Sequence, residues 1–214
     1  MSFAASTQPQ VAPLTGRDIE LASLGSYHVC FNPTQGTGVV TGNPTTLVAT
    51  TPALVLYNGG NSADVHLHYL RLSSTVVGGG AATKQFSMFV DQGNRYSSGG
   101  TALTIKNTNP TSTTVSNAVA TFGAVTATAA STNQRALGND WFRVALADVV
   151  GDVYEWDFGG RASSTGGLVA TVAHVVHQAP PVVLPPNTSY VLNIWSGTFT
   201  QGITFEVSMG ISER

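Results

Sequence analysis

The chain has 214 residues, of which 42% are hydrophobic and only 9% charged, with a formal net charge of −2. That apolar content supports a real core and excludes wholesale disorder. An average soluble domain carries about 25% charged residues, and here the two Lys and seven Arg form no basic run, so no nucleic-acid ligand is expected, because phosphate binding needs clustered positive charge.

No apolar run approaches the ~18 residues of a transmembrane helix, so no membrane partner is expected. The start of the chain lacks the basic and apolar segments of a secretory signal. A single Cys30 excludes an internal disulfide and agrees with synthesis in a reducing cytosol. A polar surface built from Ser, Thr, Asn, Gln and Gly loses little on desolvation and suits a protein packed against copies of itself.

Residues 1–16 are polar, with Pro9 and Pro13, and read as an extended N-terminal arm without a core of its own. Residues 17–214 read as one β-sandwich domain. Ile19, Leu21 and Leu24 suggest a strand, followed by a Gly25-Ser26 turn and a second strand over Tyr27–Phe31. Thr34 to Pro44 is loop. Thr46 to Tyr57 is strand-like and broken at Pro52. Asn58-Gly59-Gly60-Asn61 is a strong turn and predicts a hairpin with the strand that follows. In that strand Val65, Leu67, Tyr69 and Arg71 alternate with His66, His68, Leu70 and Leu72.

Further strands are expected at Phe86–Val90, Ala102–Lys106, Val153–Phe158 and Leu168–Val176. Val115 to Ala130 is rich in small residues, which permit close approach of another backbone. Asn139 to Asp152 fits a helix and a strand equally. Pro185-Pro186-Asn187 sets a turn before the clearest period-2 signal, Tyr190–Trp195 and Ile203–Met209, which reads as a closing antiparallel hairpin. About ten strands at a spacing of ~8–12 residues predict an all-β, antiparallel, jelly-roll-like sandwich.

His66 and His68 are the best metal-like pair, because i and i+2 share a strand face; His174 and His177 complete a zinc set only if the fold brings them close. No metal or cofactor is otherwise called for. Asp148, Asp152, Glu155 and Asp157 form the densest charge and suit Ca²⁺ or a glycosidase carboxylate pair. Cys30 with His28 has the form of a nucleophile and base. Asn187-Thr188-Ser189 is a glycosylation sequon and, more simply, a turn. Tyr57, Tyr96 and Trp195 are aromatics of the kind that stack on sugars.

The stretch from Arg17 to Tyr27 and the run Leu56-Tyr57-Asn58-Gly59-Gly60-Asn61-Ser62 resemble segments of tailed-bacteriophage virion proteins, and the late Leu184-Pro185-Pro186-Asn187-Thr188-Ser189 is similar to turns in viral β-sandwich and jelly-roll proteins. The resemblance implies a structural role on a capsid or tail, copies of itself and a major capsid protein as partners, and assembly in a host cytoplasm. It brings no catalytic residues. The expected contact residues are Phe3, Val11 and Leu14 of the arm, with Ile203 and Phe205 of the final strands. Two alternatives stand beside it: a receptor- or glycan-binding module at a fibre tip, and a hydrolase using the acidic set.

Overall fold

The computed structural model describes residues 17–77, 81–147, 149–159, 168–169, 172–198 and 200–214. The arm residues Phe3, Val11 and Leu14, and Asp148, lie outside them. In chain order the elements are α1 (Arg17–Ser23), β1 (Tyr27–Phe31), β2 (Val39–Val40), β3 (Leu54–Asn58), β4 (Val65–Val76), β5 (Ala81–Gln92), β6 (Tyr96–Ala102), β7 (Thr104–Asn107) and β8 (Ala118–Ala127). They continue with β9 (Arg135–Ala147), β10 (Val153–Phe158), β11 (Leu168–Val169), β12 (Val172–Ala179), β13 (Val182–Leu184), β14 (Thr188–Trp195) and β15 (Thr204–Glu213).

Two sheets face each other. One has the order β11-β12-β10-β4-β15-β1-β7, with β13 on the edge of β4 and β2 on that of β15; the other is β6-β8-β3-β14-β5-β9. The long pairings are antiparallel, and β10 with β12 is parallel. The strands β1, β3, β4, β5, β9, β10, β14 and β15 form the frame. Taken in chain order they give sheets of order first-eighth-third-sixth and second-seventh-fourth-fifth, which is jelly-roll winding. Of the other strands, β2 lies between β1 and β3, and the rest belong to two excursions, one between β5 and β9 and one between β10 and β14.

This winding corrects both expected hairpins. The strands flanking Asn58-Gly59-Gly60-Asn61 lie in different sheets, and so do β14 and β15. Alternation fixes which side of a strand is buried, and two strands facing one core from opposite sheets show the same alternation as two neighbours. The expected strand at Ile19–Leu24 is instead a helix. Asp18 and Glu20 sit in its first turn, where the helix dipole favours anions. It ends at Gly25 (φ 70°), with Gly25 N–H donating to Ala22 O (3.0 Å) and Ser26 N–H to Leu21 O (2.9 Å), a Schellman closure that needs the left-handed conformation. The ambiguous stretch after Asn139 is strand up to Ala147.

The core lies between the sheets. Tyr154, Trp156 and Phe158, which share one side of β10, all point into it. Phe86 meets Tyr154 and Trp156 at ring distances of 5.2 Å, and Phe205 packs edge-on against Tyr154 at 6.0 Å. A smaller cluster of Val55, Val125 and Val191, with Phe89 and Tyr96 against it, covers the outer face of the six-stranded sheet. At Gly123 (φ 112°) a Cβ would stand 2.7 Å from Val39 and 3.1 Å from the Val40 carbonyl, so the small residues of β8 do admit another backbone.

β4 departs from simple alternation. Gly210 pairs with Tyr69 and Ile211 with Leu67, which leaves His68 as the extra residue of a β-bulge. Val65 and Leu67 face the core before it, and Leu70 and Leu72 after it. Tyr69 and Arg71, expected on the same face as Val65 and Leu67, therefore face outward, away from them. No helix among the described residues is long and apolar enough to cross a membrane.

A buried ion pair ties the first excursion to the frame. Arg95 donates to Asp91 at 2.6 Å, to Ala49 O at 2.8 Å and to Thr128 O at 3.0 Å, and Asp91 also accepts from the Ser131 amide and hydroxyl. Burial pushes the Asp91 carboxyl up, but the bonds from Ser131 and Arg95 outweigh it and hold the group below its ordinary value. Breaking such a pair leaves a buried charge uncompensated, at a cost of roughly 3–5 kcal/mol. The depressed folded-state pKa means that the pair's contribution is full above the unfolded value of about 3.9 and is lost as pH falls through the folded value. Unfolding free energies of wild type and Asp91→Asn from urea titration should differ by that amount at neutral pH, and the gap should close on acidification. A gap that stays constant at low pH would remove the pair as its source.

Candidate functional site

The four histidines of the metal reading do not converge. His66 and His68 lie half-buried on β4. His174 and His177 lie on β12, with β10 between; they pair with Val153 and Trp156, which pair in turn with Ser73 and Leu70. His177 Nδ1 is 3.5 Å from Asp140 Oδ1, and Asp140 Oδ2 accepts Trp156 Nε1–H at 2.6 Å. Burial raises the Asp140 pKa, yet the bonds from His177 and Trp156 bring it below the usual carboxylate range. This group bridges β9 of one sheet to β10 and β12 of the other. Among the described residues no three His, Cys, Asp or Glu side chains form a metal-holding group.

His68 has another role that the sequence did not reveal. Its Nε2 is 2.8 Å from Ser212 Oγ, its Nδ1 is 3.5 Å from Asp18 Oδ1, and its ring lies 5.1 Å from that of Tyr27. The connectivity is that of a nucleophile, base and orienting acid, but the burial is inverted. Ser212 is wholly buried, and the Asp18 side chain is 62% exposed. An acyl substrate has no approach to that hydroxyl, and the carboxylate that should be shielded is hydrated. The relay instead fastens α1 to the sheet.

The acidic set is divided. Asp152 is fully buried and accepts Val149 N–H at 3.0 Å, which closes a turn. Glu155 and Asp157 share the outer side of β10 while the aromatics between them fill the core. His28 and Cys30 do share a buried side, and burial, helped by the Glu213 charge, pushes the Cys30 thiol up to about 12, so no thiolate is available at neutral pH. Asn187 holds a left-handed turn (φ 63°) and accepts Tyr57 O–H at 2.9 Å. Tyr96 donates to Gly99 O at 3.3 Å and Trp195 to Ser87 at 3.0 Å. Each sugar-stacking candidate is thus tied to its own chain. Ile203 and Phe205 are fully buried between the sheets, so β15 meets any neighbour with other side chains.

What the fold does assemble is an apolar end. The connections β1–β3, β4–β5, β9–β10 and β14–β15 meet at one end of the sandwich. Thr204 pairs with Val40 on one side and Val76 on the other. Beyond Val76, the turn carrying Val150 is bonded to Ser74, with Gly151 N–H donating to Ser74 O at 2.8 Å. Val40, Val76, Val77 and Val150 are 52%, 50%, 39% and 57% exposed. Leu47 and Val48, also exposed, follow in the β1–β3 connection.

Residues 29–63, 72–83 and 194–205 contain no Asp, Glu, Lys, Arg or His. Among the described residues of the four connections, Asp152 is the single ionisable side chain, and it is buried. These uncharged runs are the signal from which this surface was legible. No protein-family model, curated protein or solved structure matches the chain.

The inverted burial of the His68 relay makes a direct prediction. A fluorophosphonate probe should leave Ser212 unmodified in the folded protein, read by peptide mass spectrometry. Labelling at Ser212 would make the relay a reactive site.

Proposed function

We propose that the chain is a non-enzymatic structural protein of a virion, which self-associates through the apolar end of its sandwich and packs on a capsid or tail beside other virion proteins. One observation carries the reading: a stripe of exposed Val40, Val76 and Val150 on an end face without an exposed ionic group among the described residues. A symmetric contact brings a patch against its own copy. Any charge there meets its like, whereas a neutral apolar patch is complementary to itself. The jelly-roll frame and the resemblance of the Arg17–Tyr27 and Leu56–Ser62 segments to phage virion proteins support the setting. The capsid or tail surface, and with it a major capsid protein, is the partner this reading implies.

Sedimentation velocity over a range of concentrations tests it. Wild type should form a discrete oligomer. Val76→Glu with Val150→Glu, both at exposed positions, should keep the thermal midpoint and weaken association by about tenfold or more, because each carboxylate would be buried against apolar surface. A wild-type chain that stays monomeric at every concentration would overturn the proposal.

A further inference from the structure

The outer face of the six-stranded sheet carries its small valine cluster, and that of the nine-stranded sheet is open beyond α1. There, on the central strands β1, β4 and β15, lies a cleft of about 300 Å³ lined by Phe31, Gln35, Arg71, Ser73, Glu206 and Ser208. The bulge at His68 is what aims Arg71 and Ser73 into it. We propose that this cleft binds a neutral saccharide, with Arg71 as its central donor.

The polar groups are set out and largely uncommitted. Among the described residues, Arg71, Gln35 and Ser73 make no side-chain hydrogen bond or ion pair. Glu206 accepts only the Gly36 amide, on Oε1, so Oε2 is open. Ser208 shares its hydroxyl with Tyr69 at 3.2 Å. The cleft therefore offers a fork of guanidinium donors, a carboxylate acceptor, an amide with both functions and the half-buried Phe31. Vicinal hydroxyls need donors and acceptors together with an apolar surface, and this set supplies all three. The volume lies at the small end of ligand pockets, which suits one sugar unit.

Charge decides between ligand classes. Arg71 is paired across the ladder with Glu155, and Glu206 lines the same cleft. An anion in the cleft would face the Glu206 carboxylate and a cation the guanidinium, while an uncharged polyol meets neither penalty. The site is also rigid. Asn32 donates to Thr37 O at 3.0 Å and to Phe205 O at 3.2 Å and accepts from Val207 N–H at 3.0 Å. It pins the loop that brings Gln35 and Gly36 to the rim, so little order has to be imposed on binding.

The test is saturation-transfer NMR on the full chain with the methyl glycosides of glucose, galactose and mannose, and with methyl glucuronide as the anionic comparison. At least one neutral glycoside should bind in the millimolar range. Arg71→Ala should weaken it by about tenfold or more, as expected for loss of a charged donor, with the thermal midpoint unchanged because the side chain is exposed. Silence from all three neutral glycosides, binding of the glucuronide alone, or an Arg71→Ala protein that binds like wild type would each overturn the proposal. None of these outcomes bears on self-association, which uses the valine stripe and is read by sedimentation.

Discussion

The arrangement of the nine-stranded sheet hangs on one extra residue. Without the bulge at His68, β4 could keep either Val65 and Leu67 or Leu70 and Leu72 in the core, but not both pairs, because side chains alternate with a period of two. The extra residue His68 lets all four face inward. It also turns the intervening polar residues outward as a set. His68 reaches Asp18 and holds α1, and Arg71 and Ser73 emerge on the open face. A bulge normally costs ladder hydrogen bonds and bends the strand. Here the loss is offset by two further buried aliphatic side chains, each worth about 1.5–3 kcal/mol against exposure.

Much of the fold was legible because strand alternation is a direct imprint of burial. The inward set of β10, the strand β14 and the turn at Asn187 follow from residue pattern alone. The partners did not follow. Tyr190–Trp195 and the strand after it look like a hairpin because the link is short, yet a short link serves equally well to cross between sheets at the end of a jelly roll. Helix α1 was hidden for another reason. It is only one face deep: Leu21 is buried while Ile19 and Leu24 are in solvent, so no apolar period of 3.6 was written there. Its signals were instead the acidic first turn and the closing Gly25.

The surfaces were harder to see than the frame. Arg71 was grouped with Val65 and Leu67 by strict alternation, although the change of phase from Val65 and Leu67 to Leu70 and Leu72 is the mark that the bulge leaves in the pattern. The apolar end depends on residues from connections far apart in the chain: Val40, Val76 and Val150 become neighbours only through the pairings of Thr204 and the turn bonded to Ser74. Only the absence of charge in the β1–β3, β4–β5 and β14–β15 connections could be read beforehand, and Val150 stands between Asp148 and Asp152. The absence has to be coincident in space to mean anything, and coincidence is a property of topology.

The use made of the few charges sharpens the point. Of nine basic and eleven acidic residues, Lys84, Arg95, Asp91 and Asp152 are buried. Burying an ion costs several kcal/mol before its partners compensate, so a chain short of charge would be expected to keep its ions at the surface, where they resist aggregation. This one places a paired Asp91 and Arg95 where they fasten an excursion to the frame and, among the described residues, leaves the end of the sandwich without an exposed ion. A free particle gains nothing from that distribution. One whose end face is covered by a like copy avoids desolvating ions there, and the charges withheld from the end are the ones an interface between copies would have had to neutralise.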